Sequence, residues 1–135
     1  MCGLRKRARI IVFYFLILLL LELAHCWLSK RLPWSLNQGF FSGLGVFSWP
    51  WTGGGVVLIL VVLLGAAIWF KGAAVYPLGL LWAAGVVNFL DRVFFKGVRD
   101  YWQFWYWQNN LADWFIVLPV LWLLLLAVKK EGKNG

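Results

Sequence analysis

Residues 10–28, IIVFYFLILLLLELAHCWL, form an almost unbroken apolar run, and a run of that length constrains the chain more than any other feature. About 20 helical residues cross the roughly 30 Å hydrocarbon core of a bilayer, and three further windows, 53–70, 73–91 and 111–128, also qualify as spans. Composition agrees: 63% of the 135 residues are hydrophobic and 13% are charged. A soluble domain carries about 25% charged residues, so a water-soluble globule is excluded. The expected fold is an all-α membrane protein, one integral membrane domain over residues 1–135 with four transmembrane helices. The connection around Lys71 is short enough to make the second and third helices an antiparallel hairpin. Two cysteines, Cys2 and Cys26, fall at opposite ends of the first span and build no disulfide scaffold.

Charge sets the expected topology. Lys and Arg near the span ends divide eight to five, with Arg5, Lys6, Arg7, Arg9, Lys71, Lys129, Lys130 and Lys133 on the richer side. By the positive-inside rule both termini face the cytoplasm and the two long connections face outward. The basic runs, and with them the net charge of +8, read as topology signals and not as a nucleic-acid surface. Leu23-Ala24-His25-Cys26 superficially matches the end of a lipoprotein signal, but His25 is too large for the position before the modified cysteine. The first span is therefore expected to stay uncleaved. His25 and Cys26 amount to two metal ligands with no third, so no metal site is expected. Eight of the eleven tryptophans fall in the outward half, where the indole ring favours the headgroup layer.

Ionisable groups at membrane depth cost about 2.5–3.5 kcal/mol each on insertion scales, which makes them functional candidates. Four of the five acids, Glu22, Asp91, Asp100 and Asp113, lie within or beside spans toward the outer face. On the third helix Gly85, Asn88 and Asp91 step by three and Arg92 follows Asn88 by four, which predicts a polar stripe on one face. On the fourth, Asn110 and Asp113 stand three apart at the start, a spacing that also suits a helix cap. Spacing alone pairs Asp91 with Asp113. The face lacks the parts of a serine, cysteine or zinc hydrolase. Two close carboxyls sharing one proton can activate a water for amide hydrolysis, as aspartic proteases do.

Gly85-Val86-Val87-Asn88-Phe89-Leu90-Asp91-Arg92, Gly97-Val98-Arg99-Asp100-Tyr101 and Asn110-Leu111-Ala112-Asp113, with Asn37-Gln38-Gly39-Phe40-Phe41-Ser42-Gly43 upstream, resemble the motifs of lipoprotein signal peptidase, or signal peptidase II. The resemblance implies four spans, a small β-structured extracytoplasmic platform and a location in the bacterial inner membrane with the active site outside. It also implies that Asp100 and Asp113 form the catalytic dyad in place of the spacing-based pair. Asn37, Gly39, Asn88, Asp91, Arg92 and Asn110 would bind substrate or support the site. The implied substrate is a prolipoprotein carrying diacylglyceryl-cysteine, cut on the N-terminal side of that cysteine, with membrane lipid as the other partner, no cofactor and a monomeric enzyme. Where the family has an aspartate followed four residues later by a lysine, this chain has Glu22 and Cys26. Two rival readings use the same residues: a four-span proton-coupled transporter working through Glu22, and a non-catalytic membrane scaffold.

Overall fold

The structure is a computed structural model and describes residues 2–38, 51–70, 72–105 and 107–131. Helix α1 spans Cys2–Arg31, α2 Trp51–Trp69, α3 Val75–Phe95 and α4 Leu111–Glu131, with a short 3₁₀ turn at Gly72–Ala74. Among the described residues four three-residue strands lie between them: β1 Ser35–Asn37, β2 Val98–Asp100, β3 Trp102–Phe104 and β4 Trp107–Asn109. The molecule is thus an all-α membrane protein with a small β platform. Among the described residues three helices are long and apolar enough to cross a membrane, over Arg7–Arg31, Gly72–Phe95 and Leu111–Lys130. The apolar part of α2, Gly53–Trp69, is shorter. Helices α1 and α4 overrun their apolar windows because the flanking Arg and Lys residues are themselves good helix formers.

Helix α3 is the centre of the bundle and packs against each of the other three. Small residues on it, Ala83 and Ala84, are fully buried and let neighbouring helices approach closely, as membrane bundles require. Gly79 is the tightest point: a Cβ there would fall inside the Tyr14 ring of α1. Tyr14 in turn donates its hydroxyl to the Val75 carbonyl at 2.7 Å and also reaches the Ala67 carbonyl at 3.4 Å. Level with that contact Ala67 meets the start of α3, while farther along Leu60 meets Gly85. Position on α2 therefore runs backward as α3 runs forward, the antiparallel hairpin expected from the short connection. Outward-facing Leu19, Leu20, Leu58, Val61, Leu124 and Leu125 are exposed, an inverted surface that suits hydrocarbon.

The platform is built where α3 stops. Lys96 takes a left-handed conformation (φ 63°) and closes the helix with an N–H bond to the Arg92 carbonyl at 3.1 Å. Gly97 follows, and its missing side chain matters: a Cβ there would sit 2.9 Å from both the Asn37 carbonyl oxygen and Leu36 Cγ. That close approach lets β2 pair antiparallel with β1, Ser35 opposite Asp100 and Asn37 opposite Val98. Strands β3 and β4 then form a separate hairpin, Trp102 opposite Asn109, whose tip residue Trp105 has φ 58° and is 93% exposed.

Candidate active site

Side chains alternate across a strand, so Asp100 points to one side of β2 while Arg99 and Tyr101 point to the other. On the Asp100 side, Asn37 Nδ2 donates to Asp100 Oδ2 at 2.8 Å and Asn110 Nδ2 donates to Asp100 Oδ1 at 2.9 Å. Asn110 is wholly buried and links both acids. Its Oδ1 caps α4 by accepting the Asp113 N–H at 3.1 Å, and its own N–H donates to Asp113 Oδ2 at 3.1 Å. This is a reciprocal capping box in which Asp113 stands where Glu or Gln usually does. Asn88, from α3, donates to Asp113 Oδ1 at 2.9 Å and accepts from Asn110 Nδ2 at 3.1 Å. Both reasons for an Asn-x-x-Asp at a helix start, the cap and the site, therefore hold at once.

A cavity of about 420 Å³ opens onto this group, bounded by Asn37, Asn88, Arg92, Asp100 and Asp113 on its polar side and by Trp107, Trp114 and Ile116 on its apolar side. The hairpin contributes Asn109, whose Oδ1 is buried without a hydrogen-bond partner among the described residues. Burial pushes the Asp100 carboxyl above the usual carboxylate range. The Asn37 donor opposes that rise, and the neighbouring Asp113 charge adds to it. The Asp100 carboxyl therefore keeps its proton to a higher pH than an exposed aspartate does.

The stripe expected along α3 divides in two. Asn88 faces Asp113 and Asn110, but Asp91, 2% exposed, turns to the opposite side of β2. There it accepts from His25 Nε2 at 2.9 Å, from the Arg99 backbone N–H at 2.9 Å and from Arg99 Nη2 at 2.6 Å. The spacing-based pairing of Asp91 with Asp113 is therefore overturned: a buried arginine and a histidine occupy both oxygens of Asp91. Arg92 lines the cavity, and its charge acts on Asp100. Gly39 lies outside the described residues. His25, Arg99, Tyr101 and Asn109 went unrecognised as parts of this assembly. One signal was present, since Glu22, His25, Cys26 and Ser29 recur at three- and four-residue steps along α1, a polar stripe within an apolar helix. Arg99 Nη1 donates to Ser29 Oγ at 3.0 Å, and Nη2 lies 3.9 Å from Cys26 Sγ, so β2 delivers a cation to the end of α1. Among the described residues no group of three or more His, Cys, Asp or Glu is arranged to hold a metal.

The family description Signal peptidase (SPase) II matches residues 27–129, well over half of the chain, including Asn37, Asn88, Asp91, Asp100, Asn110 and Asp113. The chain belongs to the signal peptidase II family. That makes it a membrane peptidase of the kind that removes lipoprotein signal peptides. Solved structures with the same fold include a bacterial membrane enzyme determined by the in meso method at 2.3 Å resolution. It is 18% identical, with a TM-score of 0.77, and the alignment covers 92% of each chain. A second bacterial membrane enzyme, determined in meso at 1.9 Å, is 19% identical with a TM-score of 0.66 over 88% of this chain and 94% of that one. No curated protein matches.

Proposed function

We propose that this signal peptidase II family member is an aspartyl endopeptidase whose catalytic pair is Asp100 and Asp113, and that it cuts diacylglyceryl-modified prolipoproteins immediately N-terminal to the lipidated cysteine. The observation that carries the reading is Asn110, which binds Asp100 through its side chain and Asp113 through its backbone N–H, and so holds two carboxyls toward one cavity.

In the proposed reaction a water sits between the carboxyls. The ionised member takes a proton from the water as its oxygen attacks the scissile carbonyl carbon, and the protonated member donates to the carbonyl oxygen. Collapse of the tetrahedral species breaks the C–N bond, with the proton first taken from water passing to the leaving amine. The two acids titrate as a pair, so the roles belong to the dyad and not to one residue. Asn37, Asn88 and Asn110 hold the dyad, and Arg92 adds positive charge beside it. Asn109 lines the same cavity. The Trp107, Trp114 and Ile116 wall gives acyl chains a surface that does not compete for hydrogen bonds. This reading puts both termini in the cytoplasm, the cavity at the extracytoplasmic face and a monomer in the bacterial inner membrane.

The test is cleavage of a diacylglyceryl-modified precursor by purified protein in the presence of a chelator. Asp100→Asn and Asp113→Asn should each abolish cleavage while the protein still inserts, and Glu22→Gln should leave cleavage intact. Full activity in both aspartate variants would overturn the dyad. Loss confined to Glu22→Gln would support the transport reading instead.

A further inference from the structure

The far side of β2 carries a second polar assembly that the proposed chemistry does not use. His25, 0% exposed, lies between two partners: its Nε2 is 2.9 Å from Asp91 Oδ2 and its Nδ1 is 3.2 Å from the Tyr101 hydroxyl. That hydroxyl accepts the backbone N–H of Leu111, the first residue of α4, at 2.9 Å. Burial pushes the Tyr101 phenol up to about 12, so it keeps its proton. While the oxygen accepts from Leu111, the hydroxyl hydrogen is free to be donated to His25 Nδ1, and an imidazole bearing its proton on Nε2 satisfies both neighbours. Asp91 at the far end is held in turn by Arg99, through two guanidinium nitrogens and the backbone N–H, and Arg99 stacks over Phe95 at 4.2 Å.

The connectivity has a direction. Tyr101 is the neighbour of Asp100 in the chain, and Leu111 lies two residues before Asp113. One buried imidazole on α1 thus ties down, through one tyrosine hydroxyl, the strand that carries one acid and the helix turn that carries the other. Asp91 fastens the same imidazole to α3.

We infer that His25 and Tyr101 are positioning residues for the Asp100–Asp113 pair, setting the separation of the two carboxyls from behind without touching substrate. The inference rests on the dyad reading proposed above. Tyr101→Phe deletes the shared hydroxyl with little change in shape. His25→Phe deletes both imidazole bonds, and His25→Gln restores one donor and one acceptor.

A small error in the placement of reacting groups can cost up to about 100-fold in rate, so Tyr101→Phe and His25→Phe should each lower kcat by roughly 10- to 100-fold. KM for the lipid-modified precursor should stay within about two-fold, since no substrate contact is removed. His25→Gln should recover most of the rate. The His25→Phe/Tyr101→Phe double variant should be no slower than the slower single variant, because the two act in series. A kcat for Tyr101→Phe equal to wild type, or losses that multiply in the double variant, would overturn the inference. Amide exchange over residues 98–113 in detergent gives a reading independent of activity. It should quicken in both single variants while residues 79–87 of α3 stay unchanged, and identical exchange in all three proteins refutes the positioning role. Failure of the dyad reading looks different: Asp100→Asn and Asp113→Asn would then cleave normally.

Discussion

Replacing Asn110 tests the geometry most directly, because one side chain serves both the helix and the acids. Asn110→Ala removes the α4 cap, which typically costs about 1 kcal/mol (range 0.5–2). It also takes away the donor that Asp100 Oδ1 and Asn88 Oδ1 share, and a buried acceptor left unsatisfied costs about 1–3 kcal/mol. The expected loss of stability is therefore about 2–5 kcal/mol, read as a lowered unfolding midpoint in detergent, together with loss of precursor cleavage. Asn110→Asp separates the two contributions. Aspartate caps a helix as well as asparagine does and suits the positive end of the α4 dipole, so the helix start survives. Its carboxylate, however, faces Asp100 Oδ1 where an N–H stood at 2.9 Å. Activity should fall near neutral pH and recover on acidification, once a proton restores one donor to that contact. An Asn110→Ala variant with wild-type midpoint and rate would refute the bridging role. An Asn110→Asp variant as unstable as Asn110→Ala at every pH would refute the division into cap and donor.

Four further outcomes follow from the same geometry. Asn37→Leu removes a donor that favours ionised Asp100, so the carboxyl holds its proton to still higher pH and the alkaline limb of the pH–rate profile moves upward; an unmoved limb counts against the contact. Since Asp100 binds its proton more tightly folded than unfolded, its favourable contribution to stability is complete at low pH and fades as pH rises from the ordinary carboxylate range through its raised value. Gly97→Ala forces a Cβ against the Asn37 carbonyl and Leu36, pushes β1 from β2 and should reproduce the Asn37→Leu shift with Asn37 intact, measured by the same profile. Arg99→Met leaves Asp91 buried without its cation and should cost about 3–5 kcal/mol, whereas Arg99→Met with Asp91→Asn should cost less than the two changes summed, a difference that a double-mutant cycle on unfolding free energies measures.

Much of the fold is written in composition, because a bilayer leaves a 20-residue apolar run few alternatives to a helix. The ends of the site are legible for a similar reason: Asn110 and Asp113 sit where a helix must be capped, and their chemistry shows in their spacing. The two-sided arrangement around β2 is not legible from spacing. Asn88 and Asp91 stand three apart on α3, close enough to look like one face, and the short strand that passes between their partners decides which side each serves. The motif resemblance selected Asp100 where periodicity did not, since a residue in a connection has no helical phase to reveal its direction. His25 was hidden by its surroundings. The polar stripe on α1 marks the residue but shows neither partner, and both of its partners come from more than 60 residues away.

The short strand β2 also determines which lengths of chain can vary. Asp100 and Arg99 are neighbours that serve opposite faces, so a one-residue slip of β2 against β1 would exchange them: the carboxyl would turn toward His25 and the guanidinium into the cavity. The pairing of Val98–Asp100 with Ser35–Asn37 therefore carries a parity, odd or even, and can shift only in steps that preserve it. The β3–β4 hairpin is under no such restriction. It begins after Tyr101 and closes before Asn110, both of which are held by bonds of their own, so its tip can lengthen or shorten without turning either acid. On one side of Asp100 the chain counts residues, and on the other, up to Asp113, it only spans a gap.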